Sequence, residues 1–118
     1  MRKVLGMEIT TTEDSGITIL SLKGPLNIKV ASEVKARLGK ILEQGPVKLV
    51  CDLKGVNYMD SAGMGVLVFG LKESMATGGR FAICNLDTTI DELFKLAKLD
   101  KIIPSYIDLA DAKKDLAG

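Results

Sequence analysis

Apolar and polar residues alternate in the first part of the chain, as in a β-strand with one buried face. The alternation runs over residues 7–12 and again over 17–22, with a polar turn at residues 13–16 between them. It predicts two strands that form a hairpin. Gly24-Pro25 ends the second strand, because proline has no N–H group to donate to a sheet.

The rest of the chain alternates between segments with helical spacing and short apolar runs. Helices are predicted over residues 30–42, 61–77, 89–97 and 108–116, and strands over 47–53, 81–86 and 102–103. The third helix opens on a capping-box pattern at Thr89. Because strands that alternate with helices favour parallel pairing, the sequence predicts one α/β domain over residues 1–118. Its mixed sheet has an opening hairpin, is largely parallel afterwards, and packs with about four helices.

The composition favours a soluble domain with an aliphatic core. Of the 118 residues, 47 % are hydrophobic and only 4 % are aromatic, and the net charge of +1 gives no electrostatic case for binding nucleic acid. The longest uncharged run, residues 61–71, is about half the length of a membrane-spanning helix, and no export signal is visible. We therefore expect a cytoplasmic protein that does not insert into a membrane.

Few residues are suited to catalysis or metal binding. The chain has no histidine, which excludes Ser-His-Asp and Cys-His catalysis, and it has no P-loop. Cys51 and Cys84 lie in apolar runs and are interpreted as buried, reduced thiols, although neighbouring strands would allow a disulfide. Asp52, at the end of a buried strand, is either a satisfied polar group or a site residue. We expect no metal, no cofactor and no enzymatic activity.

Three regularly spaced lysines near the end of the chain also allow two interpretations. Lys95, Lys98 and Lys101 recur every three residues, which fits a small basic face for a partner. A solvated helix face is the favoured interpretation.

The candidate site is the segment Asp60-Ser61-Ala62-Gly63-Met64-Gly65, where a loop runs into a helix. Asp60 is a predicted N-cap, and the unpaired N–H groups of a first helical turn favour an anion. Ser61 therefore either carries a phosphate or belongs only to the capping chemistry. The helix is predicted to bury one apolar stripe, made of Met64, Leu67, Val68, Leu71 and Met75. Met64 begins this stripe, but its position between two glycines in the first turn predicts that it is exposed.

The segment Asn57 to Val68, NYMDSAGMGVLV, resembles the signature of the STAS domain family, and specifically of bacterial anti-sigma factor antagonists. The resemblance extends over nearly the full length. It also includes the opening hairpin and the segments 24–27, 49–53 and 78–81.

The resemblance implies a binding module that is switched by phosphate. In the family, an anti-sigma factor that is also a kinase phosphorylates the serine after the motif aspartate, and that serine matches Ser61. The unphosphorylated antagonist binds the anti-sigma factor and frees the sigma factor. Phosphate blocks this binding, and a phosphatase restores it. The residues expected to bind the partner are Asn27, Asp60, Ser61, Gly63, Met64 and Gly65.

Two positions depart from the family pattern. The chain has Pro25 where an acid is common and Asn27 where the turn often ends in an acid, while Ala62 removes a neighbouring hydroxyl and leaves Ser61 as the only candidate phosphorylation site in the motif. The alternative role is a STAS adaptor subunit in a lipid-transport or stressosome-like assembly. A small enzyme or nucleotide-binding protein is a third class, disfavoured by the missing histidine and P-loop.

Overall fold

A computed structural model of the protein describes residues 2–118. The strands are β1 (Arg2–Val4), β2 (Met7–Asp14), β3 (Ile17–Lys23), β4 (Lys48–Gly55), β5 (Arg80–Cys84) and β6 (Ser105–Tyr106). The helices are α1 (Ile28–Leu42), α2 (Ser61–Ala76), α3 (Thr88–Leu96) and α4 (Leu109–Ala117), with a 3-10 turn at Leu99–Lys101.

The six strands lie in the sheet in the order in which they occur in the chain. β1, β2 and β3 pair antiparallel, and β3, β4, β5 and β6 pair parallel. This arrangement confirms the predicted mixed sheet with an opening hairpin and four helices. Because β3, β4 and β5 are parallel, α1, α2 and α3 all begin at the same edge of the sheet, where the strands end.

Two hydrophobic cores lie on opposite faces of the sheet. The larger one is formed with α1, α2 and α3 and includes Val34, Leu67 and Phe94. The smaller one is formed with α4, whose Ala112 and Leu116 pack on the sheet. Burial of these aliphatic side chains is the main favourable contribution to folding.

The two cysteines confirm the prediction of buried, reduced thiols. Both are free and buried. Although β4 and β5 are neighbours, Cys51 belongs to the larger core and Cys84 to the smaller one, so their side chains lie on opposite faces.

The predicted strand at residues 102–103 was wrong. These residues follow the 3-10 turn, and the strand is β6, which begins after Pro104. Ile103 is only 1 % exposed, so its apolar character reflects packing in the core. Strand β1 was missed because its three residues show no buried alternation: Arg2 and Lys3 are exposed.

The details of two helices also differ from the prediction. Helix α3 begins at Thr88, because Asp87 and not Thr89 is its cap: Asp87 Oδ1 accepts a 2.8 Å hydrogen bond from the Thr89 N–H. Ala97, the last residue of the predicted helix, is exposed beyond the end of α3. Met75 of α2 is 68 % exposed, so the buried stripe of this helix contains Ser74 in its place.

No helix among residues 2–118 has the length and apolar character required to cross a membrane.

Candidate functional site

The site lies at the start of α2, where the loop after β4 reaches the helix. Asp60 has an extended backbone and is the N-cap, and its Oδ1 accepts a 3.0 Å hydrogen bond from the Gly63 N–H. Ser61 is the first residue of the helix and is exposed. The cap and the helix start that the sequence predicted are both present, and the capping is performed by Asp60.

Asp60 also reaches a second helix. Its Oδ2 accepts a 3.0 Å hydrogen bond from the N–H of Ile28, the first residue of α1. One carboxylate therefore caps α1 and α2 together. The hydrogen bond from Gly63, with a further one from Ile28, lowers the pKa of Asp60 below its usual value, against a smaller opposing effect of desolvation. The side chain is ionised at neutral pH.

The backbone holds the two loops together at the same point. Leu26 and Met59 form an isolated parallel bridge. The Leu26 N–H donates to the Tyr58 carbonyl at 3.0 Å, and the Asp60 N–H donates to the Leu26 carbonyl at 3.4 Å. The loop before α1 and the loop before α2 therefore form one hydrogen-bonded unit.

Gly63, in the first turn of α2, lies directly against residues of both loops. A Cβ atom at Gly63 would collide with the Leu26 carbonyl oxygen and would lie 2.8 Å from Met59 Cγ. A close approach of another backbone therefore occurs at Gly63. It does not occur at Gly65, which is exposed and has open space where a side chain would stand.

Asn27 is the N-cap of α1. Its Oδ1 accepts a 3.0 Å hydrogen bond from the Lys29 N–H, and its side chain is half-buried. The next residue, Ile28, donates its N–H to Asp60 Oδ2, so the 24–27 turn lies beside the start of α2. Pro25 lies half-buried in the same turn.

Met64 differs from the expectation that it is exposed. It is half-buried and packs against the larger core. The structure thus brings Asn27, Ser61 and Gly63 together around Asp60, whereas Met64 lies partly in the core and Gly65 is exposed.

Two residues at the site were not predicted from the sequence. Ile28 is 74 % exposed and Tyr58 is 55 % exposed. The sequence gives only a weak indication of these two residues, because each is an apolar residue just outside a regular hydrophobic pattern.

Asp52 is a satisfied polar group inside β4, not a residue at the end of the strand. Its Oδ1 accepts hydrogen bonds from Asn85 Nδ2 at 2.9 Å and from the Lys54 N–H at 3.1 Å. Among residues 2–118, no group of three acidic, cysteine or histidine side chains is placed to hold a metal ion.

The three lysines near the end of α3 do not form one helical face. Lys95 lies in α3 and pairs with Asp91 at 3.0 Å, whereas Lys98 has a left-handed backbone and precedes the 3-10 turn that holds Lys101. All three are exposed, as the interpretation of a solvated surface requires.

The family model of the STAS domain matches residues 8–112 of the chain. The chain belongs to the STAS domain family. This membership confirms the resemblance carried by residues 57–68 and agrees with the mixed α/β fold.

Relatives of this STAS domain include regulators named for their action on anti-sigma factors. An anti-sigma F factor antagonist of Paenibacillus polymyxa is 26 % identical over 113 residues, which are 95 % of this chain and 97 % of the relative. The anti-sigma-B factor antagonist of Bacillus subtilis is 33 % identical over 84 residues, 71 % of this chain and 76 % of the relative. A Thermotoga maritima protein of known crystal structure is 26 % identical with a TM-score of 0.88, covering 93 % of this chain and 95 % of its own.

Proposed function

We propose that this STAS domain is an anti-sigma factor antagonist that is switched off by phosphorylation of Ser61. It binds an anti-sigma factor with serine kinase activity in the cytoplasm, and this binding releases the sigma factor. A partner phosphatase returns phospho-Ser61 to serine. The domain is a binding module and not an enzyme. The two relatives named as antagonists, similar over most of the chain, support this role.

The observation that carries the proposal is that Asp60 and Ser61 have different roles at the start of α2. Asp60 caps α2 with its own carboxylate, so the exposed Ser61 hydroxyl is not needed to start the helix. A kinase can therefore transfer the γ-phosphoryl group of ATP to Ser61 Oγ, which loses its proton, without removing a structural hydrogen bond.

The phosphate acts on the partner more than on the fold. It adds roughly −1.5 to −2 charges at neutral pH. The positive end of the α2 dipole tolerates this charge within the domain. An anti-sigma factor that covers Ser61 would have to desolvate the phosphate, which is costly without a matched cation. Binding is lost while the fold persists, and hydrolysis by the phosphatase reverses the change.

The proposal is tested by reconstitution with the kinase-type anti-sigma factors of the source organism and their sigma factors. The unphosphorylated domain is expected to release sigma from one of them. That partner and ATP should add one phosphate, located at Ser61 by mass spectrometry, and the phosphorylated domain should no longer release sigma. Ser61→Ala should abolish labelling and preserve release.

Ser32→Ala is the matched control, because Ser32 is another exposed helical serine, in α1. It should be labelled like the wild type. Labelling that persists in Ser61→Ala would refute the phosphorylation site. Absence of sigma release with every such anti-sigma factor would refute the antagonist role and leave the adaptor role in its place.

A further inference from the structure

Two exposed apolar side chains flank the backbone that carries Ser61. Ile28, 74 % exposed, is the first residue of α1, and Tyr58, 55 % exposed, lies in the loop before α2. We call these two residues the apolar pair. Large apolar side chains exposed at one structured point often mark a contact surface, whereas a single one has no such meaning.

The apolar pair is held in a fixed relation to Ser61. The Ile28 N–H donates to Asp60 Oδ2, and Asp60 is the residue directly before Ser61. The Tyr58 carbonyl accepts from the Leu26 N–H, two residues before Ile28. The backbones of both residues are thus tied into the hydrogen-bonded unit that also sets the start of α2.

This rigidity favours their use in binding. A side chain on an ordered backbone loses less freedom when a partner covers it, and a tyrosine offers a large area with few rotatable bonds. The helix start at Ile28 does not explain the exposed side chain, since the buried face of α1 begins at Val30, which is fully buried. Isoleucine at this position contributes little to the core.

The charges at the site indicate the chemistry of the occupant. The carboxylate that accepts from the Ile28 N–H is that of Asp60, and each of its oxygens already accepts a backbone hydrogen bond. Ile28, Tyr58 and Ser61 themselves carry no charge. The pair therefore fits an uncharged, apolar patch on a protein partner.

We infer that Ile28 and Tyr58 are the apolar anchors by which this domain binds its kinase-type anti-sigma factor. The inference rests on the proposed function, because the occupant is the partner proposed to act on Ser61. It adds a reason for the switch: phosphate on Ser61 would bring a strongly hydrated dianion beside two residues whose binding requires the exclusion of water.

The test measures the affinity of the purified domain for the anti-sigma factor that the wild type binds, with Ile28→Ser and Tyr58→Ser as variants. Both residues are exposed, so the variants are expected to fold, which thermal melting verifies. We expect each variant to raise Kd by roughly tenfold or more, as is usual for buried interface anchors. Leu96→Ser is the matched control, because Leu96 is 81 % exposed but lies at the end of α3. It should change Kd by less than about twofold.

The outcomes separate the inference from the function on which it rests. If both folded variants bind with wild-type affinity and still release sigma, Ile28 and Tyr58 are not anchors. The antagonist role would then remain supported. An equal loss in Leu96→Ser would also overturn them, because the effect would not be local to Ser61. If the wild type binds no kinase-type anti-sigma factor, the proposed function itself fails.

A second readout distinguishes anchoring from an effect on phosphorylation. At saturating concentrations of the domain, Ile28→Ser should be phosphorylated on Ser61 at nearly the wild-type rate, while the concentration needed for half-maximal rate rises. A fall of the maximal rate with unchanged half-saturation would contradict anchoring.

Discussion

Asp60 Oδ2 accepts a 3.0 Å hydrogen bond from the backbone N–H of Ile28, which lies 32 positions earlier in the chain. The other oxygen of the carboxylate accepts from Gly63, so a single side chain caps the first turns of α1 and α2. The two helices follow neighbouring parallel strands, β3 and β4, which bring their first turns to the same edge. The bond therefore fixes where Ser61 stands relative to the start of α1.

Asp60→Asn should break one of the two caps and keep the other. Gly63 and Ile28 donate to different oxygens of Asp60, and an amide replaces one of these oxygens with an NH₂ group that only donates, so one of the two N–H groups loses its acceptor. We expect faster hydrogen exchange at one of these two amides and a lower melting temperature. Asp108→Asn is the control, because Asp108 caps only α4, through one hydrogen bond from the Asp111 N–H. Unchanged exchange at both amides in Asp60→Asn would show that the second bond is not significant in solution.

The same carboxylate predicts a pH dependence of stability. Since the Gly63 and Ile28 N–H groups lower the pKa of Asp60 in the folded state, ionised Asp60 favours folding. Its contribution is fully present above the unfolded pKa of about 3.9 and is lost as the pH falls through the folded value. The difference in free energy of unfolding between wild type and Asp60→Asn should therefore be constant from pH 7 to 5 and shrink below about pH 4.

Urea unfolding of both proteins between pH 7 and pH 2.5 measures this difference. The pKa values of Asp14 and Asp115 are also lowered, by hydrogen bonds from Lys113 and Tyr106 respectively, but both residues are present in both proteins. Their effects cancel in the difference. A difference that grows towards acid pH would contradict the assignment to Asp60.

The two glycines of the motif should respond in opposite ways to a methyl group. Gly63→Ala places Cβ against the Leu26 carbonyl oxygen, a backbone atom that cannot move aside, and should destabilise the domain by about 1–3 kcal/mol. Gly65→Ala meets no neighbouring atom and should stabilise α2 by up to about 1 kcal/mol through helix propensity. Chemical denaturation of the pair provides the comparison. Equal effects would mean that the loop before α1 does not pack closely on α2.

Ser74 offers a stability test away from the site. It is fully buried in α2, and its hydroxyl has no hydrogen-bond partner within residues 2–118. Ser74→Ala removes this unpaired group and improves helix propensity, so we expect stabilisation of roughly 1 kcal/mol. Ser32→Ala in α1 is the control for propensity alone, since Ser32 is exposed. A loss of stability in Ser74→Ala would reveal a hydrogen bond of the hydroxyl in solution.

The parts of the fold that the sequence predicted are those with long, regular patterns. Helix α1 has buried residues at helical spacing, and β4 has a nearly continuous apolar run. In both elements the apolar residues of the pattern are the ones that are buried. The two edge strands have only three and two residues, and their pairing depends on neighbours rather than on their own pattern. They were therefore missed or misplaced.

The candidate site was predictable only in its local part. Asp60 as a cap follows from the residues beside it, but its bond to Ile28 depends on β3 and β4 being neighbours and on their register. The half-buried position of Met64 also arises from tertiary packing, because the core extends to the first turn of α2. The spacing of neighbouring residues therefore predicts neither the bond between Asp60 and Ile28 nor the burial of Met64.

Asn27 stands at a position where the family often has an acid. Its Oδ1 accepts a hydrogen bond from the Lys29 N–H and so caps α1 beside the bond that Ile28 makes with Asp60. Aspartate can accept the same bond and suits the positive end of the helix dipole, so Asn27→Asp should retain or slightly raise stability. Asn27→Ala removes the acceptor and should cost about 1 kcal/mol.

The same pair of variants decides what a kinase recognises in this turn. If the turn only has to be held in place, Asn27→Asp should leave the rate of Ser61 phosphorylation within about twofold, and Asn27→Ala should slow it by loosening the start of α1. This is the result we expect, because the asparagine oxygen already makes the capping bond. A large rise in rate for Asn27→Asp alone would show instead that the partner recognises a negative charge. Wild-type rates in both variants would remove Asn27 from the surface that we propose to bind the kinase.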